Sequence, residues 1–366
     1  MKSRRISRLK ASMTSKGIDF LILIPGANLY YFSGLKMHLS ERPTMFFVSQ
    51  QAEGIIFLPK LDVPYVSSIF GGKCVLFPWA DDEGPEKTLR SLSEELELDG
   101  KRVGVEFRRM RVIESDLLNR YAPNAVLSDA EGLISEIRMY KDDEEIACMR
   151  KAAEITEKAL QATVEMIRPG VSEYEVSRQL IIQGFLNGSG ELPKYPLVTS
   201  GPRSALPHPK PSRHTINKGD LVMIDTGASY EGYACDLTRT FAVGTIADEL
   251  RVIYEIVLNA NRAVTNSFRP NISAEELDRV ARDVIEAAGY GQFFIHRLGH
   301  GLGLEGHEPP YIGQGNKLVL RNGMTFTDEP GIYLPDKGGV RIEDDVVVTE
   351  TGLEHLTNYP RELTIL

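Results

Sequence analysis

The stretch Leu221–Val243, LVMIDTGASYEGYACDLTRTFAV, decides the fold. Two runs rich in Val, Ile, Thr and aromatic residues, Leu221–Ser229 and Tyr233–Val243, flank Glu231-Gly232, a pair suited to a tight hairpin turn. Each run carries one aspartate, and Asp225 and Asp236 are symmetric about the Tyr230–Glu231 peptide. That register predicts two carboxylates facing each other, Cβ atoms about 5 Å apart, unless a bulge shifts the pairing. The arrangement returns nearer the C-terminus, where Glu329 and Glu343 are symmetric about Asp336 inside the turn Pro335–Gly339. Two hairpins are expected, each opposing two carboxylates.

Four carboxylates in one core cannot all stay charged unaided. Two unit charges 4 Å apart repel by about 1 kcal/mol even in water and by several-fold more in a protein interior. Either some hold protons or cations neutralise them, and two divalent ions balance four negative charges. Oxygen-rich ligands with one imidazole suit Mn, Co, Zn or Fe. The imidazole is sought in His296–Pro310, HRLGHGLGLEGHEPP, which holds three of the chain's seven histidines, His296, His300 and His307. Glycines on both sides of His300 let backbone approach a crowded centre. Gly301, Gly303 and Gly306 also match a dinucleotide-binding pattern, but Pro309-Pro310 forbids the helix whose N-terminus would hold a pyrophosphate.

The hairpins lie in a diverged repeat. Arg168-Pro169-Gly170-Val171-Ser172 with Glu175 recurs 101 residues on as Arg269-Pro270-Asn271-Ile272-Ser273 with Glu276. Both copies hold a capping box, and each follows a long helix, expected near 142–167 and 248–267. A duplicated half-domain with pseudo-twofold symmetry follows, with matching strands at its centre. The first 130 residues differ: short apolar runs at Phe20–Ile24, Met45–Val48, Gly54–Leu58, Cys74–Phe77 and Val103–Phe107 alternate with helical patterns, as in an α/β domain. We expect domains at 1–130 and 131–366.

Composition excludes other classes. With 42 Lys+Arg against 51 Asp+Glu the net charge is −9, which argues against a nucleic-acid or membrane-surface partner. Three dispersed cysteines, Cys74, Cys148 and Cys235, offer neither a disulfide framework nor a thiolate metal cluster and fit a reducing cytoplasm. Ser3-Arg4-Arg5 is not followed by the apolar segment of a signal peptide, and no run reaches the roughly 18 apolar residues of a membrane helix.

Taken in order, Asp225 in IDTGA, Asp236 before LTRTF, His300 in GHGLG, Glu329 in EPGIY and Glu343 in RIEDD resemble the five metal ligands of the pita-bread metallopeptidases, a group of Xaa-Pro dipeptidases (prolidases), Xaa-Pro and methionine aminopeptidases and creatinase. The resemblance covers residues 131–366. It implies an α/β N-terminal domain of the proline-specific branch, joined to an α+β pita-bread domain with a pseudo-twofold repeat of helices and antiparallel strands. It further implies two divalent ions, Mn²⁺ or Co²⁺ foremost and Zn²⁺ or Fe²⁺ otherwise, held by Asp225, Asp236, His300, Glu329 and Glu343. Family likeness adds His208, His296, His307 and Arg341 around the substrate. Glu329 would shuttle the proton of a metal-activated water, while His208 and His307 stabilise the oxyanion.

The implied substrates are short proline-containing peptides, and the implied assembly is a homodimer. Xaa-Pro dipeptidase and Xaa-Pro aminopeptidase are nearly balanced, with a creatinase-like C–N hydrolase and a metal-free binding homologue as further readings. Two departures matter. Asp328 stands where relatives commonly carry an apolar residue, and should point away from Glu329. After His307-Glu308, Pro310-Tyr311 offers no cation for a proline carboxylate, so Arg341, Arg297 or Lys337 would have to serve.

Overall fold

Strand segments that are apolar at every position need cover on both faces, and such segments build the first part of the chain. A computed structural model describes residues 3–52, 54–191, 194–207 and 209–366. The chain divides into two compact units, Met1–Arg138 and Met139–Leu366.

In the first unit, strands β1 (Phe20–Leu23), β2 (Met45–Ser49), β3 (Ile55–Pro59), β4 (Val75–Trp79), β5 (Arg102–Val105) and β6 (Val126–Asp129) form one sheet in the order β4-β3-β2-β1-β5-β6. The pairs β1/β2 and β2/β3 are antiparallel and the other three parallel. Helices α1 (Ser3–Lys16), α2 (Ala27–Ser33), α3 (Val63–Phe70), α4 (Glu86–Glu95), α5 (Val112–Tyr121) and α6 (Glu131–Arg138) accompany it. All five expected apolar runs are strands; β6 is a sixth, partly exposed and ending in Ser128-Asp129, so that it makes no apolar run. The units part after Arg138 and not near residue 130, because α6 packs on α1 and the Arg138 guanidinium donates to Asn28 within the first unit.

The second unit is built twice. Helices α7 (Asp143–Val164) and α8 (Glu173–Leu186) precede strands β7 (Leu197–Ser200) and β8 (Leu221–Thr226), the short pair β9 (Ser229–Tyr230) and β10 (Tyr233–Ala234), and β11 (Leu237–Ala242). Helices α9 (Asp248–Ser267) and α10 (Ala274–Ala287) then precede β12 (Gly299–Gly301), β13 (Glu308–Ile312), β14 (Thr325–Asp328), β15 (Gly331–Leu334), β16 (Gly338–Arg341), β17 (Asp344–Val348) and β18 (Leu353–His355). Both expected capping boxes form: Ser172 and Glu175 satisfy each other's orphan donors at α8, as Ser273 and Glu276 do at α10. Each copy of the motif also bridges a later segment, Ser172 to Thr215 and Ser273 to Val319.

Each half keeps its own apolar core. Ala153, Leu160, Val176 and Leu180 pack on Ile224, Leu237 and Phe241 in the first; Val257, Val264, Leu277 and Ala281 pack on Phe326, Ile332, Val340 and Val346 in the second. The halves join where Thr238 of β11 bridges Glu343, whose N–H donates to the Thr238 carbonyl at 3.1 Å. No helix among the described residues is long and apolar enough to cross a membrane.

Candidate metal centre

The C-terminal hairpin has the expected register. Asp328 pairs with Asp344 in the β14/β17 ladder and Gly331 with Arg341 in β15/β16, so Glu329 stands opposite Glu343 in the gap between two ladders. The first hairpin differs. Asp225 pairs with Thr238, not with Asp236. The turn is centred one residue later than expected because Glu231 and Gly232 both take positive φ, 50° and 83°, as a two-residue type I′ turn requires. Moving the centre by one residue moves the partner by two, which preserves the face of the strand. Asp236 is therefore a diagonal neighbour of Asp225 on the same side. Its N–H leaves the ladder and donates to Asp345 Oδ2 at 2.9 Å.

Asp225, Thr238, Glu343 and Glu329 thus form a row across the middle of the unit, with Asp236 beside it. His300 comes from β12, which is narrow by necessity. A Cβ on Gly299 would lie 1.7 Å from the Thr327 carbonyl oxygen, and one on Gly301 2.4 Å from that of Pro309. These are the close backbone approaches expected from the glycines around the histidine.

The groups converge. Ligand atoms of Asp225, Asp236 and Glu343 lie within 4.8 Å of one another, as do those of His300, Glu329 and Glu343, and of Asp236, His300 and His307. Asp225, Asp236, His300 and Glu343 are each no more than 5 % exposed. They line a cavity of about 420 Å³ together with Lys194, Leu197, His296, Arg297, His307, Glu329 and Arg341.

Electrostatics follow from this crowding. Burial, reinforced by Glu343, holds the Asp236 and Glu329 carboxyls well above the usual range, and burial with Asp225 raises Glu343. Burial would raise Asp225 too, but Lys194 and Arg341 outweigh it and bring it down to about 2. Burial, with His307 beside it, lowers His300 to about 3, so its imidazole is neutral. Its Nδ1 faces the Gly301 carbonyl at 3.1 Å and must carry the proton there, leaving the Nε2 lone pair aimed at the cavity, 3.4 Å from Glu329 Oε1.

The donor set fits divalent cations. It offers carboxylate oxygens and one neutral imidazole nitrogen, too many buried acids to remain charged alone, and a buried Asp225 Oδ1 that accepts no hydrogen bond among the described residues. Lys194 is the cation at that end. Its ammonium contacts Oδ1 of both Asp225 and Asp236, but only the contact with Asp236 has hydrogen-bond geometry.

Further residues support this arrangement. Arg341 donates from Nη2 to Asp225 Oδ2 at 2.7 Å, from Nε to Thr238 Oγ1 at 3.1 Å and from Nη1 to the Tyr333 hydroxyl at 3.0 Å. Thr238 in turn donates to Glu343 Oε2, and the Thr327 hydroxyl donates to Glu329 Oε1 at 3.1 Å. The Tyr333 hydroxyl donates to His296 Nε2 at 2.9 Å, because His296 Nδ1 is committed to the Arg297 carbonyl. Asp278 and Arg282, a buried pair on α10, hold the Leu298 N–H and the carbonyls of Phe294 and His296. His307 stacks on His300 with ring centroids 3.6 Å apart. A buried Lys141–Glu308 ion pair, 2.9 Å, anchors the residue that follows it.

Of the residues expected from sequence, Asp225, Asp236, His296, His300, His307, Glu329, Arg341 and Glu343 line one cavity. His208 lies outside the described residues. Asp328 is buried and accepts from Asn261 Nδ2 at 3.1 Å, on the strand face opposite Glu329. Among the three cations considered for a carboxylate, Arg297 and Arg341 line the cavity, whereas Lys337 is exposed and paired with Glu249. Lys194, Thr238, Thr327 and Tyr333 were not anticipated. Only the threonines left a trace, at two positions from an acid along a strand and hence on its face.

Comparison with known proteins gives the family. A profile described as metallopeptidase family M24 matches residues 147–350, and one described as the creatinase/prolidase N-terminal domain matches residues 5–140. An Xaa-Pro dipeptidase of Pyrococcus furiosus is 36% identical over 366 residues, covering 98% of this chain and 99% of the relative. The solved structure of a prolidase from Thermococcus sibiricus superposes with a TM-score of 0.94 at 37% identity, covering 100% of this chain and 99% of that one. An X-Pro aminopeptidase from Thermotoga maritima gives 0.88 at 31% identity, with 99% of both chains covered.

Proposed function

Because the chain belongs to metallopeptidase family M24, with the N-terminal domain found in creatinase and prolidase, we propose that it is an Xaa-Pro dipeptidase working with two divalent cations, Mn²⁺ or Co²⁺ foremost. The observation that carries this reading is the convergence of four carboxylates and one neutral imidazole on a cavity of about 420 Å³, a volume suited to a small ligand. Full-length likeness to an Xaa-Pro dipeptidase supports the substrate.

In this reading Asp225, Asp236, His300, Glu329 and Glu343 hold the cations, which when bound supply Lewis acidity and lower the pKa of a water. Glu329, ionised once a cation takes the place of its proton, would accept the proton of that water and pass it to the departing proline nitrogen. An Xaa-Pro bond has no N–H for a strand-like clamp, so recognition falls to side chains. His307, and His208 by likeness, donate to the scissile carbonyl oxygen. His296, oriented by Tyr333, lines the cavity beside them. Arg341, committed to Asp225, acts by positioning that ligand, which leaves Arg297 at the rim as the receptor for the proline carboxylate.

The test is hydrolysis after Mn²⁺ or Co²⁺ loading. Cleavage of Xaa-Pro but not Xaa-Pro-Yaa is the expected result. Cleavage of the tripeptide replaces this reading with an aminopeptidase, and cleavage of creatine alone with a C–N hydrolase.

A further inference from the structure

Lys194 places a positive charge inside the acid cluster. Its ammonium lies against one oxygen of Asp225 and one of Asp236, which with Glu343 form one of the possible cation positions. Of the other groupings, Asp236 also stands with His300 and His307, while His300, Glu329 and Glu343 hold no lysine among the described residues: His300 Nε2 and Glu329 face each other at 3.4 Å. The two positions share Glu343 but differ in what a metal ion must displace. On the His300 side it displaces only protons. On the Asp225 side it must expel an ammonium tethered by its own backbone just before β7.

The route for expulsion exists, since the Lys194 side chain is 28 % exposed and lines the cavity. Arg341 stays on Asp225 Oδ2, so departure of the lysine vacates Asp225 Oδ1 without leaving that aspartate unpaired. A tethered competitor weakens the apparent affinity of its rival by the fraction of time the position is free.

Resting on the metallopeptidase reading, we propose that Lys194 is a built-in competitor for the Asp225–Asp236 position, which a cation binding there must displace. The lysine also keeps two buried aspartates neutralised in metal-free protein.

Calorimetric titration of the metal-free chain with Mn²⁺ alone, with metal per chain counted by elemental analysis, tests the proposal. Lys194→Met should tighten the weaker of the wild type's binding steps by about tenfold. Affinities that K194M leaves unchanged would overturn the competition while leaving the metal-centre reading intact. Failure of both proteins to bind any metal would instead sink that reading. Because K194M strips a counter-charge from the metal-free fold, a measurement on the wild type stands beside it. Acetylation of Lys194, followed by peptide mass mapping, should be slow without metal and rise several-fold once the second equivalent of Mn²⁺ is added. Reactivity that does not respond to the second equivalent counts against displacement.

Discussion

The two carboxylate hairpins are variations on one design, and they differ in how their register is set. In the C-terminal hairpin the turn centres on Asp336 (φ 61°), and Glu329 faces Glu343. Aspartate tolerates the left-handed region, so the turn sits where symmetry places it. In the first hairpin the turn uses Glu231 (φ 50°), a residue with little preference for that region, followed by Gly232. The strands slide by two positions and the aspartates become diagonal neighbours. Both solutions keep the acids on one face, because only an odd shift exchanges faces. Same-face placement, more than direct opposition, is what a cation site asks of a hairpin. The diagonal arrangement also leaves room for Lys194 between the aspartates, whereas the acids of the second hairpin face His300, two threonine hydroxyls and, at 3.9 Å, Arg341 Nε.

Removing an acid should break both hairpins alike. Asp236→Ala and Glu343→Ala should each lower Mn²⁺-dependent Xaa-Pro hydrolysis by about a thousandfold or more, since each residue belongs to a cluster held responsible for a cation. Far-UV circular dichroism should stay that of the wild type. Near-full activity in either variant would refute the assignment of these carboxylates.

The hairpins differ in how closely Arg341 holds their acids: its guanidinium donates to Asp225 Oδ2 at 2.7 Å and lies 3.9 Å from Glu343 Oε2. Arg341→Leu leaves Asp225 buried with only Lys194, and should cost about 3–5 kcal/mol of metal-free stability in a urea titration. Bound Mn²⁺ should restore part of that loss. A loss below about 1 kcal/mol would mean that the guanidinium is dispensable to the first hairpin.

His300 gives the second hairpin a pH dependence. Its pKa is about 3 in the fold against 6.5 for a free imidazole. Above pH 6.5 both states are neutral and stability is unaffected. As pH falls from 6.5 towards 3, the unfolded chain takes up a proton that the native chain refuses, and metal-free stability drops by about 1.4 kcal/mol per pH unit from this residue. His300→Asn should remove that contribution, so that between pH 6 and 4 the wild type loses stability relative to the variant as pH falls. Parallel profiles would show the imidazole to be less shielded than its burial implies.

The smallest effect isolates the turns. Glu231→Asn supplies a residue that accepts positive φ and should raise stability by about 0.5 kcal/mol, while Asp336→Asn should change little. Equal gains would mean that turn preference does not distinguish the hairpins.

Much of this was legible in the linear chain because it is local. Capping boxes lie within four residues, apolar strands announce themselves by run length, and the repeat brings its motif back intact at Arg168 and Arg269. The acids flanking each turn could be paired by symmetry, and parity protected the result even where the register slipped. Other features left no local sign. β6 is short and half exposed. Tyr333 reads as one aromatic residue in a strand until His296 and Arg341 meet at its hydroxyl. Arg239, fully buried, supports the Glu343 carbonyl and Asp344 from a strand far away in sequence.

The sequence by itself determined the duplicated helices, the two acid-bearing ribbons and the glycine-flanked histidine, since each depends on residue preferences acting over a few positions. The tertiary structure alone decided which charges meet: that Thr238 stitches one ribbon to the other, that Arg341 reaches Asp225, and that Lys194 enters the cluster from a loop. Coulombic neighbours are set by distance through space, and a chain of letters carries no distances beyond those its own backbone spans.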